Sequence, residues 1–198
     1  AGEEAAAPSA EPAPAQAPAT WSFSPSVYTY IVPRGQSYAN PNFAADRAWL
    51  HLEARYDYEN LNTASLWLGY NFNFGRELTL GLTPMLGGVV GHTTGVAPGY
   101  EASAGWRGIA FSSQGEYVID TAHHTESFFY TWTELSESPV DWGRFGLVIQ
   151  RTKVYDTTAD IERGALVGFS YGALELTTYV LGIGQGAPTI VLGLAADL

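Results

Sequence analysis

The sequence predicts an all-β fold: an antiparallel up-and-down β-barrel that crosses a membrane on about twelve strands, with ten as the alternative. Three observations predict it. Apolar and polar residues alternate with a period of two along most of the chain, and no segment keeps a 3.6-residue period. Charged residues are 15% of the 198 residues, against about 25% in a soluble domain that must solvate its whole surface. Aromatic residues reach 14% and gather near the ends of the alternating runs, as in Tyr56 and Tyr58, Phe72 and Phe74, Trp106 and Trp142. Amphipathic rings favour the headgroup level of a bilayer.

Composition narrows the class further. Lys153 is the only lysine. Soluble β-proteins use lysine to guard sheet edges, and a closed barrel has no edge to guard. There is no run of roughly 18 apolar residues, which excludes a transmembrane helix. No basic n-region precedes an apolar stretch, so the chain reads as a mature sequence whose secretory signal has been removed, starting at Ala1-Gly2-Glu3-Glu4. Cysteine is absent, excluding disulfides, cysteine metal sites and a lipid anchor on cysteine. A formal net charge of −11 makes nucleic acid an unsuitable partner.

Residues 1–20 are rich in Ala and Pro with scattered Glu. They hold too little apolar surface to offset ordering entropy and are expected to form a disordered tail or spacer. The barrel is expected over residues 21–198. Its clearest strand runs from Ala48 to Glu59, with Ala48, Leu50, Leu52, Ala54, Tyr56 and Tyr58 on one face. Trp49, His51, Glu53, Arg55, Asp57 and Glu59 stand on the other, because successive side chains point to opposite sides. Ala64, Leu66, Leu68, Tyr70, Phe72 and Phe74 then oppose Ser65, Trp67, Gly69, Asn71 and Asn73, and Leu78, Leu80, Leu82, Pro84 and Leu86 oppose Glu77, Thr79, Gly81 and Thr83.

Further windows are 21–32, 100–107, 109–120, 127–136, 142–155, 162–171, 174–181 and 189–198. Turn signals separate them at 59–62, 74–77, 138–139, 156–158 and 184–186. The longest connections are expected at 33–46 and 91–99. These windows number one short of an even count, which bacterial barrels require; at about 10 residues per strand and roughly 4 per loop, twelve strands fit the length.

Alternation alone does not say which face is inside. The shortage of charge and the placement of aromatics put the apolar face outward. The C-terminus agrees: Ile190, Leu192, Leu194, Ala196 and Leu198 form one apolar row ending on the last residue. This strand resembles the C-terminal strand of bacterial outer-membrane β-barrels, with Leu198 where that family usually carries Phe or Trp. The resemblance covers residues 21–198 as an architecture of small porin-like type. It implies location in the outer membrane of a Gram-negative cell, contact with its lipid, and recognition of the last strand by the barrel-assembly machinery. In hydrocarbon, only a closed sheet satisfies every backbone N–H and C=O. A basic side chain on the lipid face costs about 2–4 kcal/mol at mid-bilayer. Arg151, Lys153 and Arg163 fall on the apolar phase and are therefore expected at the membrane boundary, snorkelling outward.

The inner face is then expected to carry His51, Glu53, Arg55, Asp57, Glu101, Arg107, Glu116, Glu134, Arg144, Glu162 and Glu175, together with Glu59 and Glu77. Acids outnumber bases, so a pore here is expected to pass small hydrophilic solutes or cations. A salt-bridged, non-conducting structural or adhesive barrel is the alternative, and a lipid-modifying barrel enzyme the third. Gly168-Phe169-Ser170-Tyr171-Gly172 matches the nucleophile pattern G-x-S-x-G. That chemistry needs a strand-to-helix turn, and a strand-like run follows here, so no catalytic residue is assigned. His123 and His124 are adjacent in an expected loop, and His92 lies in another. Neither pattern converges as metal ligands must; no metal site and no cofactor are expected.

Overall fold

The structure is a computed structural model and describes residues 20–33, 35–123, 126–154 and 159–198. Thirteen strands follow in order: β1 (Ser22–Ile31), β2 (Tyr38–Arg47), β3 (Leu50–Tyr56), β4 (Thr63–Tyr70), β5 (Phe72–Phe74), β6 (Thr79–Gly91) and β7 (Gly95–Trp106). The second half holds β8 (Ile109–Asp120), β9 (Phe128–Val140), β10 (Gly143–Val154), β11 (Asp160–Tyr171), β12 (Leu174–Leu181) and β13 (Thr189–Ala196). β4 and β5 both pair with β6 and form one stave parted at Asn71, whose N–H bonds the Trp49 carbonyl at 2.7 Å. With these two halves counted as one, twelve antiparallel staves close into a barrel. β1 seals against β13, and Phe23 and Leu198 exchange two backbone hydrogen bonds of 2.9 Å at the termini.

The wall has two unlike rims. At the rim carrying the termini, the strands join through short turns at 48–49, 75–78, 107–108, 141–142 and 172–173. At the other, they join through 32–37, 57–62, 92–94, 121–127, 155–159 and 182–188. These are called here the turn end and the loop end. Gly172 (φ 61°) and Arg107 (φ 48°) supply the left-handed backbone that a two-residue hairpin demands.

The apolar phase faces outward. Leu66 is 72% exposed, Leu147 64% and Leu80 43%, while Ser65 and Trp67 on either side of Leu66 are buried. An exposed apolar belt of this extent would aggregate in water and is stable only against lipid. Four tryptophans, Trp21, Trp49, Trp106 and Trp142, are exposed, and all four sit at the turn end. Together with Phe72, Phe74 and Phe169 they form a girdle. Trp67 and Trp132 are the inward pair. Arg151 and Lys153 lie in the last turn-free residues of β10 and Arg163 near the start of β11, all close to the loop end, with Arg151 5.9 Å from the Phe129 ring.

Several expectations need correction. The missing twelfth strand is β2, which lies inside the connection expected at 33–46. Its Asn40-Pro41-Asn42 reads as a turn, yet Pro41 pairs with Val27 of β1 and adjoins Asn42, where the ladder to β3 begins, so its missing N–H breaks no bond there. The loop expected at 91–99 is mostly β7, with only 92–94 outside strands. Ser138-Pro139 is the end of β9, and the turn falls at 141–142. β3 ends at Tyr56, so Asp57 and Glu59 belong to the 57–62 connection, and Trp49 stands in a turn and faces outward. The tail expected at 1–20 lies outside the described residues except for Thr20, as do His124 and the turn signal at 156–158.

Candidate functional site

With period-two strands closed into a ring, every second side chain points at the barrel axis. At the turn end this inner face carries Ser24 and Ser26 from β1, Asn42 and Asp46 from β2, His51 from β3, and Asn71 and Asn73 from β4–β5. They line a cavity of ≈ 590 Å³ that begins beside Thr20 and Ser22 and reaches Glu53, Glu101 and Gln114. A second cavity of ≈ 300 Å³ shares Tyr28, Tyr58, Asn73, Glu101 and Gln114 with the first and extends to Trp132 and Glu134. Among the described residues, the acidic ones lining the two are Asp46, Glu53, Glu101 and Glu134, and no arginine or lysine lines either.

Among the described residues, the two inner arginines, Arg55 and Arg144, are held by carboxylates. Arg55 donates to Glu53 at 2.6 Å and to Glu116 at 3.0 Å. Its guanidinium also lies 4.5 Å from the rings of both Tyr58 and Trp67. Arg144 donates to Glu134 at 3.0 Å and Glu175 at 2.8 Å, and reaches the Thr177 hydroxyl at 3.2 Å. Bidentate or two-partner arrangements of this kind fix a planar guanidinium against the wall. Glu59 folds in from the 57–62 connection and accepts hydrogen bonds from Ser65 and from Trp67 Nε1.

Toward the loop end the interior turns apolar and aromatic. Tyr30, Trp132, Val148, Leu166, Tyr179, Leu181 and Val191 pack as one buried cluster, with Tyr38 and Tyr130 against it. Tyr58 meets Tyr130 edge-to-face at 5.5 Å, and Tyr30 stacks on Tyr38 at 4.7 Å. Tyr58 follows β3 and Tyr130 belongs to β9. Four staves lie between those two on one side of the ring, so this contact crosses the interior. Burial holds the Tyr58 phenol well above its ordinary range, with the Arg55 charge opposing. It therefore stays neutral at any physiological pH.

The structure thus brings His51, Glu53, Arg55, Glu101 and Glu116 together, and Glu134, Arg144 and Glu175 in a second group. It does not bring the remainder to the same place. Asp57 caps the 57–62 connection by accepting from Asn62 N–H at 2.6 Å. Arg107 lies exposed in the β7–β8 turn, 5.1 Å from the Trp106 ring, and Glu77 is exposed in the 75–78 turn. Glu162 lies near the loop-end start of β11, half-buried. Asp46, Asn40 and Asn42 are inner residues that sequence reasoning missed, because β2 was read as a loop. A polar residue at every second position from Asn40 to Asn42, with Asp46 in the same phase, is the signal that could have found them. Ser170 stands at the β11–β12 hairpin, paired with Glu175, where strand turns into strand rather than into helix.

No protein-family model matches the chain, and no curated protein matches it in sequence. Solved structures do match. A KdgM porin aligns with TM-score 0.60 at 9% identity, covering 87% of this chain and 98% of that one. A KdgM porin in complex with disordered oligogalacturonate aligns with TM-score 0.57 at 9% identity, covering 88% and 98%. The outer membrane protein OpdK from Pseudomonas aeruginosa aligns with TM-score 0.47 at 10% identity, covering 84% of this chain and 58% of that one. The fold is that of an outer-membrane β-barrel of the small porin type.

Proposed function

We propose that this barrel sits in the outer membrane as a narrow channel that prefers cations to anions, admitting small hydrophilic solutes from an acidic vestibule. The observation that carries this reading is the lining of the two cavities. Asp46, Glu53, Glu101 and Glu134 face the open space, and each inner arginine is held on the wall by two carboxylates, so that acid stays in excess. Carboxylates in a low-dielectric tube raise the local concentration of cations and exclude anions. Oligogalacturonate, bound by one of the KdgM structures, is a polyanion; the charge here disfavours a solute of that kind. Short turns face the periplasm in such barrels, which places the vestibule on the periplasmic side. The apolar row of β13 is the feature that we propose the assembly machinery reads.

Planar-bilayer recording across a salt gradient tests the proposal. The reversal potential is expected on the cation-selective side, and Glu101→Gln together with Glu134→Gln should move it toward zero. An anion-selective potential would overturn the reading. The second reading is a non-conducting structural barrel, favoured by the Tyr58–Tyr130 contact across the interior. Total absence of current, in the wild type and after those tyrosines are shortened, would establish it instead.

A further inference from the structure

One cluster in the vestibule has a geometry that salt bridging does not use up. His51 is 3% exposed. Its Nδ1 lies 2.9 Å from Asp46 Oδ1, and the same oxygen accepts from Asn71 Nδ2 at 2.6 Å. Asn71 in turn accepts from the Thr83 hydroxyl at 2.6 Å. This chain of bonds fixes the ring with Nδ1 as the donor to Asp46, so that Nε2, directed away from Asp46, is the ring nitrogen open to a further partner. Nε2 is buried and has no hydrogen-bond partner, with Glu53 Oε2 outside hydrogen-bond reach at 3.7 Å. A carboxylate oxygen of Glu53, one of Glu101 and a ring nitrogen of His51 all lie within 4.8 Å of one another. All three residues border the ≈ 590 Å³ cavity, which has room for water.

We infer that His51, Glu53 and Glu101 form a binding site for a divalent transition-metal cation, with Asp46 as the positioning residue behind His51. One imidazole nitrogen and two carboxylate oxygens suit zinc or manganese, with cavity water completing the coordination. The carboxylate–imidazole–metal relay that Asp46 and His51 would form is the usual support of a metal-bound histidine. Charge also fits: Asp46, Glu53 and Glu101 outweigh Arg55 locally, and a divalent ion offsets the excess. An unpartnered buried imidazole nitrogen costs free energy, which a bound ion removes. The inference does not depend on conduction, because a non-conducting barrel would hold the same three ligands.

Calorimetric titration of the folded, detergent-solubilised chain with zinc ion tests it, with magnesium ion as the hard-cation control. One zinc ion per barrel is expected, with much weaker magnesium binding. His51→Ala and Glu101→Gln should abolish the high-affinity event, and Asp46→Ala should weaken it by about 10- to 100-fold. His123→Ala and His92→Ala should leave it unchanged, since neither residue lies in the vestibule. Should a His51 variant fail to fold, X-ray absorption of the zinc-loaded wild type decides, with a shell of oxygen and a single imidazole expected. Zinc binding that survives His51→Ala but is lost in His123→Ala would overturn the inference by moving the site to the 121–127 connection. Absence of any zinc binding would overturn it too, leaving His51 as a protonated partner of Asp46 and Glu53.

Discussion

Replacing Arg55 with alanine is expected to lower the barrel's unfolding free energy by about 3–5 kcal/mol, the cost of stranding buried carboxylates without their cation. Arg55 is 5% exposed and bridges Glu53 on its own strand to Glu116 on β8, across the inner space between β3 and β8. Its guanidinium is also clasped between the Tyr58 and Trp67 rings. Deleting it removes two charge-assisted bonds and two cation–π contacts, and leaves Glu53 and Glu116 facing each other's charge in a poorly solvated place. The sign of the effect therefore comes from the carboxylates left behind. Arg55→Met combined with Glu53→Gln and Glu116→Gln should recover a large part of the loss, because neutral amides tolerate burial better than unpaired ions. Urea unfolding of the refolded barrel in lipid vesicles, followed by tryptophan fluorescence, reads both. Equal stability of Arg55→Ala and wild type would show that the ion-pair network is incidental to the fold.

Shortening Tyr58 and Tyr130 to alanine is expected to raise single-channel conductance severalfold while preserving the cation preference. These two rings approach from nearly opposite walls and meet at 5.5 Å, beside the stacked Tyr30 and Tyr38. Below them, two cavities that share Glu101 and Gln114 reach from Glu134 to the turn end. The Tyr58–Tyr130 contact crosses the interior at the lower edge of the buried loop-end cluster, and resistance in series is set by the narrowest part. Glu101 and Glu134 lie below the rings, toward the turn end, so the reversal potential should hold. Each phenol removed also takes packing from the loop-end interior, so melting is expected to fall modestly. A folded double variant with unchanged conductance would mean that the tyrosines are not the constriction.

Much of the architecture was legible because a period of two with one apolar phase has few solutions. β4, with Leu66 and Leu68 against Ser65 and Trp67, states its two faces directly, and the structure exposes the leucines and buries the others. β2 was illegible because Asn40-Pro41-Asn42 carries turn chemistry, and because its outward row, Ala39, Pro41, Phe43 and Ala45, holds one large apolar side chain. Losing β2 also lost Asp46, whose role depends on pairing with His51 across the β2–β3 ladder. Phase alone puts Asp57 and Arg107 in the wall. Each has positive φ (55° and 48°) and so leaves the strand just where extrapolated alternation would keep it in the wall.

The filled loop end was also beyond the pattern. Leu166, Val148 and Leu181 share a phase with inner polar residues, and an apolar residue on an otherwise polar face looks like noise in a sequence. Only the closure of the ring, which brings β1, β9 and β12 to a common centre, turns them into a core. Glu53 and Glu116 are likewise far apart in the chain, and their shared partner Arg55 becomes evident once β3 and β8 face the same axis.

One face of each strand touches lipid and the other faces the barrel axis. The chain has no native cysteine, so single substitutions along β6 give unambiguous probes. Nitroxide labels at Leu80, Leu82, Leu86 and Val90 are expected to be strongly accessible to dissolved oxygen and shielded from a water-soluble nickel complex. Labels at Thr83, Met85 and Val89 are expected to show low oxygen accessibility, giving a period of two along the strand. An inverted phase, with the leucine positions shielded from oxygen and the intervening ones in contact with lipid, would contradict the account.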